Sequence, residues 1–171
     1  QKQKYSKNIE HIIVDGGSKD NTINLIKNFS NNYKNITYIL EKDIGIYQGI
    51  NLGLNLAKNK FIGILNSDDF YIDDKVFENL DLIFKDNPEI SAIHSNVKIL
   101  RRNELNKIYR IYNSKNFCPE DFFKCDNPPH TSLFVKKEIY EKFGFFNENL
   151  KIASDFEFML RVFGKNSIKT K

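Results

Sequence analysis

Short apolar runs alternate with stretches of helical periodicity through the first half of the chain. Three runs have the length and β-branched content of buried strands, at residues 10–14, 36–40 and 61–65. The run at 61–65 is apolar throughout, as a strand covered on both faces should be. Strands that alternate with helices predict an α/β fold, with a mostly parallel sheet, right-handed crossovers and flanking helices.

A helix is predicted after each of these strands, because apolar residues recur there three or four positions apart. The first is predicted around residues 23–29, the second around 46–57 and the third around 74–86. Asn87-Pro88 ends the third, since proline disfavours helical geometry in the residue before it.

The second half of the chain is less regular. Strands predicted at 91–100 and 107–112 are separated by polar residues, which favours a hairpin. The remaining predicted elements are a short helix or irregular segment at 118–125, a strand at 131–135 and helices at 137–143 and 153–163. The chain has no internal repeat and no low-complexity linker, so a single domain is the simplest interpretation.

Composition narrows the class of protein. The formal net charge of +4 is modest and no basic block is interleaved with aromatics, which argues against a nucleic-acid partner. Attraction to an anionic membrane face or a phosphorylated substrate stays open. No run of about 18 apolar residues predicts a membrane span. Cys118 and Cys125 form neither a CxxC pair nor a disulfide framework, so we expect reduced thiols in a cytoplasmic protein.

Polar and acidic residues directly follow two of the predicted strands. Asp15-Gly16-Gly17 follows the first strand, and Asn66-Ser67-Asp68-Asp69 follows the third. Because open parallel sheets bind ligands beyond the carboxyl ends of their strands, both clusters predict one binding cleft. Asp15 can accept a hydrogen bond from a base imide or a ribose hydroxyl, and the glycines allow close approach. A plain strand-to-helix turn, with Asp20 as the helix cap, explains the same residues.

The second cluster suggests a cation site. Two adjacent carboxylates at the end of an apolar strand repel each other unless a cation or a donor lies between them. Asp68 is therefore a candidate ligand of Mg²⁺ or Mn²⁺, which prefer oxygen and usually keep a diphosphate in their shell. Asn66 can face the ribose or the water shell of the ion. The alternative is that Asp68 and Asp69 only cap the next helix.

Spacing alone leaves three further positions ambiguous. Asp155 lies in the first turn of a predicted helix, where it can be a cap or a general base that removes a proton from an acceptor hydroxyl. His130 follows two prolines and is interpreted as structural. The loop around Asp43, with Gly45 and Tyr47, can line a nucleotide pocket or simply begin a helix.

Taken together, the segments resemble the family 2 glycosyltransferases, whose catalytic domain has the A-type glycosyltransferase fold. The matching stretches occur in the family's order and cover nearly the whole chain: Ile13-Val-Asp-Gly-Gly-Ser-Lys-Asp20, Asp43-Ile-Gly-Ile-Tyr-Gln-Gly-Ile-Asn51, Gly63-Ile-Leu-Asn-Ser-Asp-Asp69, and His130-Thr-Ser-Leu-Phe134 through Gly144-Phe-Phe-Asn147 to Ser154-Asp-Phe-Glu-Phe-Met-Leu-Arg161. The resemblance implies a Rossmann-like sheet in one catalytic domain over 1–171. Residues 1–90 would form its nucleotide-sugar-binding half and residues 91–171 its acceptor-binding half.

The resemblance also implies a role for each matching position. Asp15 and Asp43 are expected in the nucleotide-sugar pocket. Asn66 and Asp68 occupy the place of the family's Asp-x-Asp motif, so both are expected at the donor. Asp68 should hold Mg²⁺ or Mn²⁺ against the diphosphate. Asp155 matches the family's catalytic base.

The implied reaction is inverting transfer from a nucleotide-diphosphate sugar to a saccharide or lipid-linked acceptor hydroxyl. The expected setting is bacterial surface polysaccharide synthesis, in the cytoplasm or peripherally at the inner face of the cell membrane. Arg161 is expected either to orient the helix of Asp155 or to contact phosphate. Two alternatives stay open: an inactive relative that only binds nucleotide or carbohydrate, and a nucleotidyltransferase. The latter normally needs a glycine-rich, basic phosphate loop, which the sequence lacks.

The sequence departs from the family pattern at Asn66, where Asp is usual, at Gly16, where many members have a second Asp, and at Ser154, where Glu is common. Family members also usually begin with an additional strand and helix, and that strand is central in the sheet. We therefore expect the natural protein to extend beyond both ends of this chain. We also expect no direct pairing between the strands at 10–14 and 61–65.

Overall fold

The computed structural model describes residues 3, 8–114, 119–124, 127–166 and 168–171. Cys118 and Cys125 lie outside these ranges, so their expected thiol state stays a prediction. The first half alternates strands and helices as predicted: β1 (His11–Asp15), α1 (Thr22–Asn32), β2 (Ile36–Leu40), α2 (Ile46–Leu56), β3 (Phe61–Gly63) and α3 (Val76–Asp86). Only β3 is clearly shorter than predicted, because its pairing stops at Gly63.

The second half contains β4 (Ala92–Ile93), β5 (Val97–Arg101), β6 (Glu104–Tyr112), β7 (Phe134–Lys136), α4 (Lys137–Phe143) and α5 (Ser154–Met159). The single strand predicted at 91–100 is two strands, and a 3-10 turn at His130–Ser132 delays β7. The helix predicted at 153–163 changes to a π-helical turn at Leu160–Gly164. No helix in the described ranges is long and apolar enough to cross a bilayer.

The strand pairings mix parallel and antiparallel geometry. β1 and β2 pair in parallel, β7 lies between β3 and β4 and is antiparallel to both, and β5 and β6 form an antiparallel hairpin. The predicted α/β class is confirmed, with helices flanking the sheets, but of the four pairings between the described strands only that of β1 with β2 is parallel. Within the described residues β1 and β3 lie in separate sheets, as expected.

Two glycines bring α2 close to β1. A Cβ atom on Gly49 or Gly53 would lie 3.7 Å from a methyl group of Val14. Residues four apart share one face of a helix, so this glycine face lies against the strand. The contact fixes the start of α2, and the loop before it, beside the carboxyl end of β1.

The main core joins the two halves of the chain. Leu54 of α2 belongs to the same buried cluster as residues of β7, α4 and α5, among them Val135, Tyr140 and Phe158. The Tyr140 and Phe158 rings stack with centroids 4.9 Å apart. The core therefore contains residues from both 1–90 and 91–171. The assignment of these two ranges to separate donor-binding and acceptor-binding halves stays a prediction.

Gly63→Ala is expected to lower the free energy of unfolding by about 2 kcal/mol. A Cβ atom on Gly63 would lie 2.6 Å from Cδ1 of Phe134, whose buried ring is hemmed in by Tyr71 and Phe77. Gly53→Ala is the matched control, expected to be neutral or stabilising by about 0.5–1 kcal/mol, since alanine favours a helix. Urea unfolding measures both, and equal stability of the two variants would contradict this packing.

Candidate functional site

Asp15 ends β1, and its carboxylate organises the following turn. Oδ1 accepts hydrogen bonds from the N–H groups of Gly17 (3.0 Å) and Ser18 (2.8 Å), and Oδ2 accepts one from the Ser18 hydroxyl (2.5 Å). These bonds, chiefly those from Ser18, hold the pKa of Asp15 below its usual value. A carboxylate has about four acceptor sites, so the turn leaves one available to a ligand. The turn role and a ligand role are thus compatible.

The loop that carries Asp43 packs against this turn. The N–H of Glu41 donates to the backbone oxygen of Asp15 at 3.0 Å, and a Cβ atom on Gly16 would meet Ile44 at 3.5 Å. Asp43 is exposed and makes no hydrogen bond to another described residue. The two predicted nucleotide-pocket residues therefore lie on adjoining loops, at the carboxyl ends of the paired strands β1 and β2.

Asp155 is held between two side chains from distant parts of the chain. The Tyr47 hydroxyl donates to its Oδ1 at 2.9 Å, and His130 Nδ1 lies 3.0 Å from its Oδ2. The interpretation of His130 as merely structural missed this contact, since residues 25 positions apart give no local signal.

The Tyr47 hydroxyl remains a donor over the neutral pH range. Burial, and then its hydrogen bond to Asp155, raises the pKa of Tyr47 above its usual value. Asp155 is partly buried, with 23% of its side chain exposed. An oriented, solvent-accessible carboxylate of this kind can accept a proton from a hydroxyl group placed against its remaining lone pairs.

Arg161 ties the helix of Asp155 to the end of α4. Its guanidinium makes a bidentate pair with Glu157, at 2.7 and 3.1 Å, and donates to the backbone oxygens of Phe143, Gly144 (3.2 Å) and Phe145 (2.8 Å). All five N–H donors therefore have partners. Of the two roles expected for Arg161, the structure favours orienting the helix over contacting phosphate.

Asn51 is a positioning residue that spacing did not reveal. It is 5% exposed, its Oδ1 accepts the Phe146 N–H (3.1 Å), and its Nδ2 donates to the Phe146 oxygen (2.9 Å) and to Glu148 (2.8 Å). Tyr47 lies one turn earlier on the same helix and stacks on Phe146, with centroids 5.9 Å apart. The feature of the sequence that could have identified Asn51 was a polar amide on the apolar face of the predicted helix α2.

Two non-glycine residues of the described chain have left-handed backbone geometry, and both flank these side chains. Asp43 has φ 56° and Ala153, the cap residue before α5, has φ 64°. Such geometry costs roughly 1 kcal/mol at a non-glycine residue, and strain of this kind clusters at ligand-binding positions. The loop before α2 and the start of α5 are therefore both candidates for direct ligand contact.

Asn66 provides a hydrogen-bond donor to one of the two adjacent carboxylates, Asp68 and Asp69, that follow β3. Asn66 Nδ2 donates to Asp69 Oδ2 at 3.1 Å, whereas Asp68 is exposed and makes no hydrogen bond or ion pair with another described residue. No group of three or more His, Cys, Asp or Glu side chains in the described ranges could hold a metal. Asp68 stays a predicted metal ligand, and a hard ion bound there would complete its shell with a diphosphate and water. Its position in a cleft shared with Asp15 and Asp155 stays a prediction.

Comparison with known proteins places these motifs in a family. The family model for Glycosyl transferase family 2 matches residues 1–144. A chondroitin synthase of Escherichia coli is 29% identical over 90% of this chain and 22% of its own length. An uncharacterised glycosyltransferase of Rickettsia prowazekii (strain Madrid E) is 24% identical over 95% of this chain, which spans about half (52%) of that relative.

A solved structure shows the same fold. The crystal structure of S. aureus TarS in complex with UDP-GlcNAc superposes with a TM-score of 0.72 at 15% identity, over 99% of this chain and 52% of that one. A likeness at this identity concerns the fold alone. The fold is that of the A-type glycosyltransferases, and the chain belongs to Glycosyl transferase family 2.

Proposed function

We propose that this chain is the donor-binding and catalytic part of an inverting glycosyltransferase. It would transfer a sugar from a nucleotide-diphosphate sugar to the hydroxyl of a saccharide or lipid-linked acceptor. The observation that carries the proposal is the meeting of Tyr47, His130 and Asp155, which come from three separate family-like segments. Family membership and the UDP-GlcNAc complex of a structural neighbour support the donor class.

Donor binding is assigned to the adjoining loops after β1 and β2. Asp15 uses its remaining acceptor site for an N–H or O–H group of the nucleoside, and Asp43 presents an exposed carboxylate beside it. Asn66 and Asp68 are assigned to the ribose and diphosphate side of the donor. A Mg²⁺ or Mn²⁺ ion bound by Asp68 would supply positive charge that stabilises the departing diphosphate.

Asp155 is the proposed general base. Its carboxylate takes the proton of the acceptor hydroxyl as the acceptor oxygen forms a bond to the anomeric carbon of the donor. The bond from that carbon to the diphosphate oxygen breaks, and the nucleoside diphosphate leaves with the electron pair. Attack opposite the leaving group inverts the anomeric configuration. Tyr47 donates a hydrogen bond to the carboxylate and His130 lies at ion-pair distance from it, so both side chains hold it in position.

The proposed setting is polysaccharide-related synthesis on the cytoplasmic side of the membrane. The names of two relatives support this class of product: a chondroitin synthase of Escherichia coli and a PGL/p-HBAD biosynthesis glycosyltransferase of Mycobacterium tuberculosis. The second is 21% identical over 95% of this chain and 61% of its own length.

Donor binding is tested by calorimetric titration with a panel of nucleotide sugars that includes UDP-GlcNAc, with and without Mn²⁺. We expect one donor to bind in a Mn²⁺-dependent manner, and Asp68→Ala to weaken that binding by roughly tenfold or more, because an ionic oxygen ligand is lost. Asp86→Ala, which removes another exposed carboxylate at the end of α3, is the control and should leave binding unchanged.

The same titration separates the proposal from its alternative. Metal-independent binding of a nucleotide sugar, without hydrolysis or transfer of its sugar, would support an inactive nucleotide-binding relative. Asn66 in place of the usual Asp is the sequence feature that favours this alternative. Unchanged affinity of Asp68→Ala in Mn²⁺ would remove Asp68 from the metal site.

A further inference from the structure

The β5–β6 hairpin stands apart from the core. Its base is closed by the Ser114 N–H, which donates to Asn96 Oδ1 at 2.7 Å, and by a contact between Ser114 and buried His94. Every residue of β6 after Glu104 is exposed. Because successive strand residues point to opposite faces, neither face of the described hairpin is covered along β6.

The net positive charge of the hairpin equals that of the whole chain. Residues 97–112 contain five cationic side chains and one carboxylate, a net charge of +4. The formal net charge of all 171 residues is also +4, so acidic and basic residues balance elsewhere. The cationic residues are Lys98, Arg101, Arg102, Lys107 and Arg110.

Large apolar and aromatic side chains are exposed among these charges. Leu105, next to the turn, is 65% exposed and Tyr109 is 71% exposed. Tyr109 lies at a β-bulge, because the register passes from Ile99 opposite Arg110 to Leu100 opposite Ile108. Ile108, Ile111 and Tyr112 are also exposed. An isolated two-stranded hairpin is only marginally stable in water. Exposed apolar surface of this extent on such a hairpin indicates a binding partner.

We propose that this hairpin docks the protein on an anionic lipid bilayer. Basic side chains attract the anionic headgroups. Leucine, isoleucine and tyrosine side chains partition into the interface between headgroups and acyl chains. A soluble polyanion would satisfy the charges equally well, but it offers no apolar phase to Leu105 and Ile108. The combination of the two kinds of side chain on one element therefore favours a membrane surface.

Docking at the hairpin does not depend on sugar transfer. The docking test needs neither donor nor metal. If the unmodified chain bound anionic vesicles but no nucleotide sugar, only the proposed function would be contradicted. If it bound a nucleotide sugar but no vesicles, only docking would be contradicted.

Sedimentation with lipid vesicles tests the proposal. We expect the 171-residue chain to bind vesicles containing one part phosphatidylglycerol to two parts phosphatidylcholine, and not vesicles of phosphatidylcholine alone. Arg101→Glu with Arg102→Glu should lower the partition coefficient roughly 30-fold or more, since each basic residue contributes strongly at an anionic surface. The control is Lys27→Glu with Lys34→Glu, which makes the same charge change on exposed residues at α1 and should lower binding less than about threefold.

A second pair of variants tests the apolar contribution. Leu105→Ser with Tyr109→Ser keeps the charge and should lower the partition coefficient by roughly tenfold. Equal loss in the hairpin and α1 charge variants would contradict docking by the hairpin, as would equal binding to both kinds of vesicle. Binding to dextran sulfate without binding to vesicles would assign the hairpin to an acidic polymer instead. A concentration-dependent dimer that the serine variants abolish would assign it to a second copy of the chain.

Discussion

Asp155→Asn is expected to lower the rate of sugar transfer by about 10³-fold while leaving donor affinity within about twofold. The asparagine amide has nearly the same shape as the carboxylate, and its oxygen can still accept the hydrogen bond from Tyr47. It cannot take a proton from an acceptor hydroxyl at neutral pH. The loss should therefore appear in kcat, measured as product formed per enzyme per unit time. The donor affinity measured by calorimetry should not change.

Glu157→Gln is the control for this change. Glu157 lies two residues along the same helix, but its carboxylate is paired with Arg161 and not with Tyr47 or His130. We expect less than a tenfold loss of transfer, together with lower stability. Transfer at the wild-type rate in Asp155→Asn would remove Asp155 from the chemical step, whatever the donor affinity.

Arg161→Ala should lower the free energy of unfolding by about 2–4 kcal/mol, among the larger effects of a single substitution in this chain. The change removes five hydrogen bonds and leaves the oxygens of Phe143, Gly144 and Phe145 without their cationic donor. The side chain is 30% exposed, so water can replace part of what is lost. Urea unfolding of the two proteins measures the difference.

Arg161→Lys distinguishes geometry from charge. A lysine ammonium carries the same charge, but it lacks the planar fork that contacts Glu157 and three carbonyl oxygens together. It should recover less than half of the loss. Arg102→Ala, an exposed arginine of the hairpin turn, should change stability by less than about 0.5 kcal/mol. A loss below about 1 kcal/mol in Arg161→Ala would contradict the role of Arg161 in anchoring the helix of Asp155.

Only part of the candidate site was predictable from the strands, since the position of Asp68, after β3, relative to Asp15 stays a prediction. Asp15 and Asp43 lie on adjoining loops because β1 and β2 are parallel, and that pairing follows from the alternation of strand and helix. The partners of Asp155 were not predictable in this way. Tyr47 and His130 are 108 and 25 positions from it, and only the shared core of α2, β7 and α5 brings them together.

The sequence by itself determined the α/β class, the positions of most helices and strands, and the acidic residues that carry the proposed chemistry. These features are local: periodicity of apolar residues sets each element, and glycine and acidic residues mark each turn. Only the tertiary structure decided that β7 lies between β3 and β4, that Arg161 bonds the backbone at and after the end of α4, and that the described residues leave β6 exposed after Glu104. Those outcomes depend on contacts between residues far apart in the chain, which no local pattern specifies.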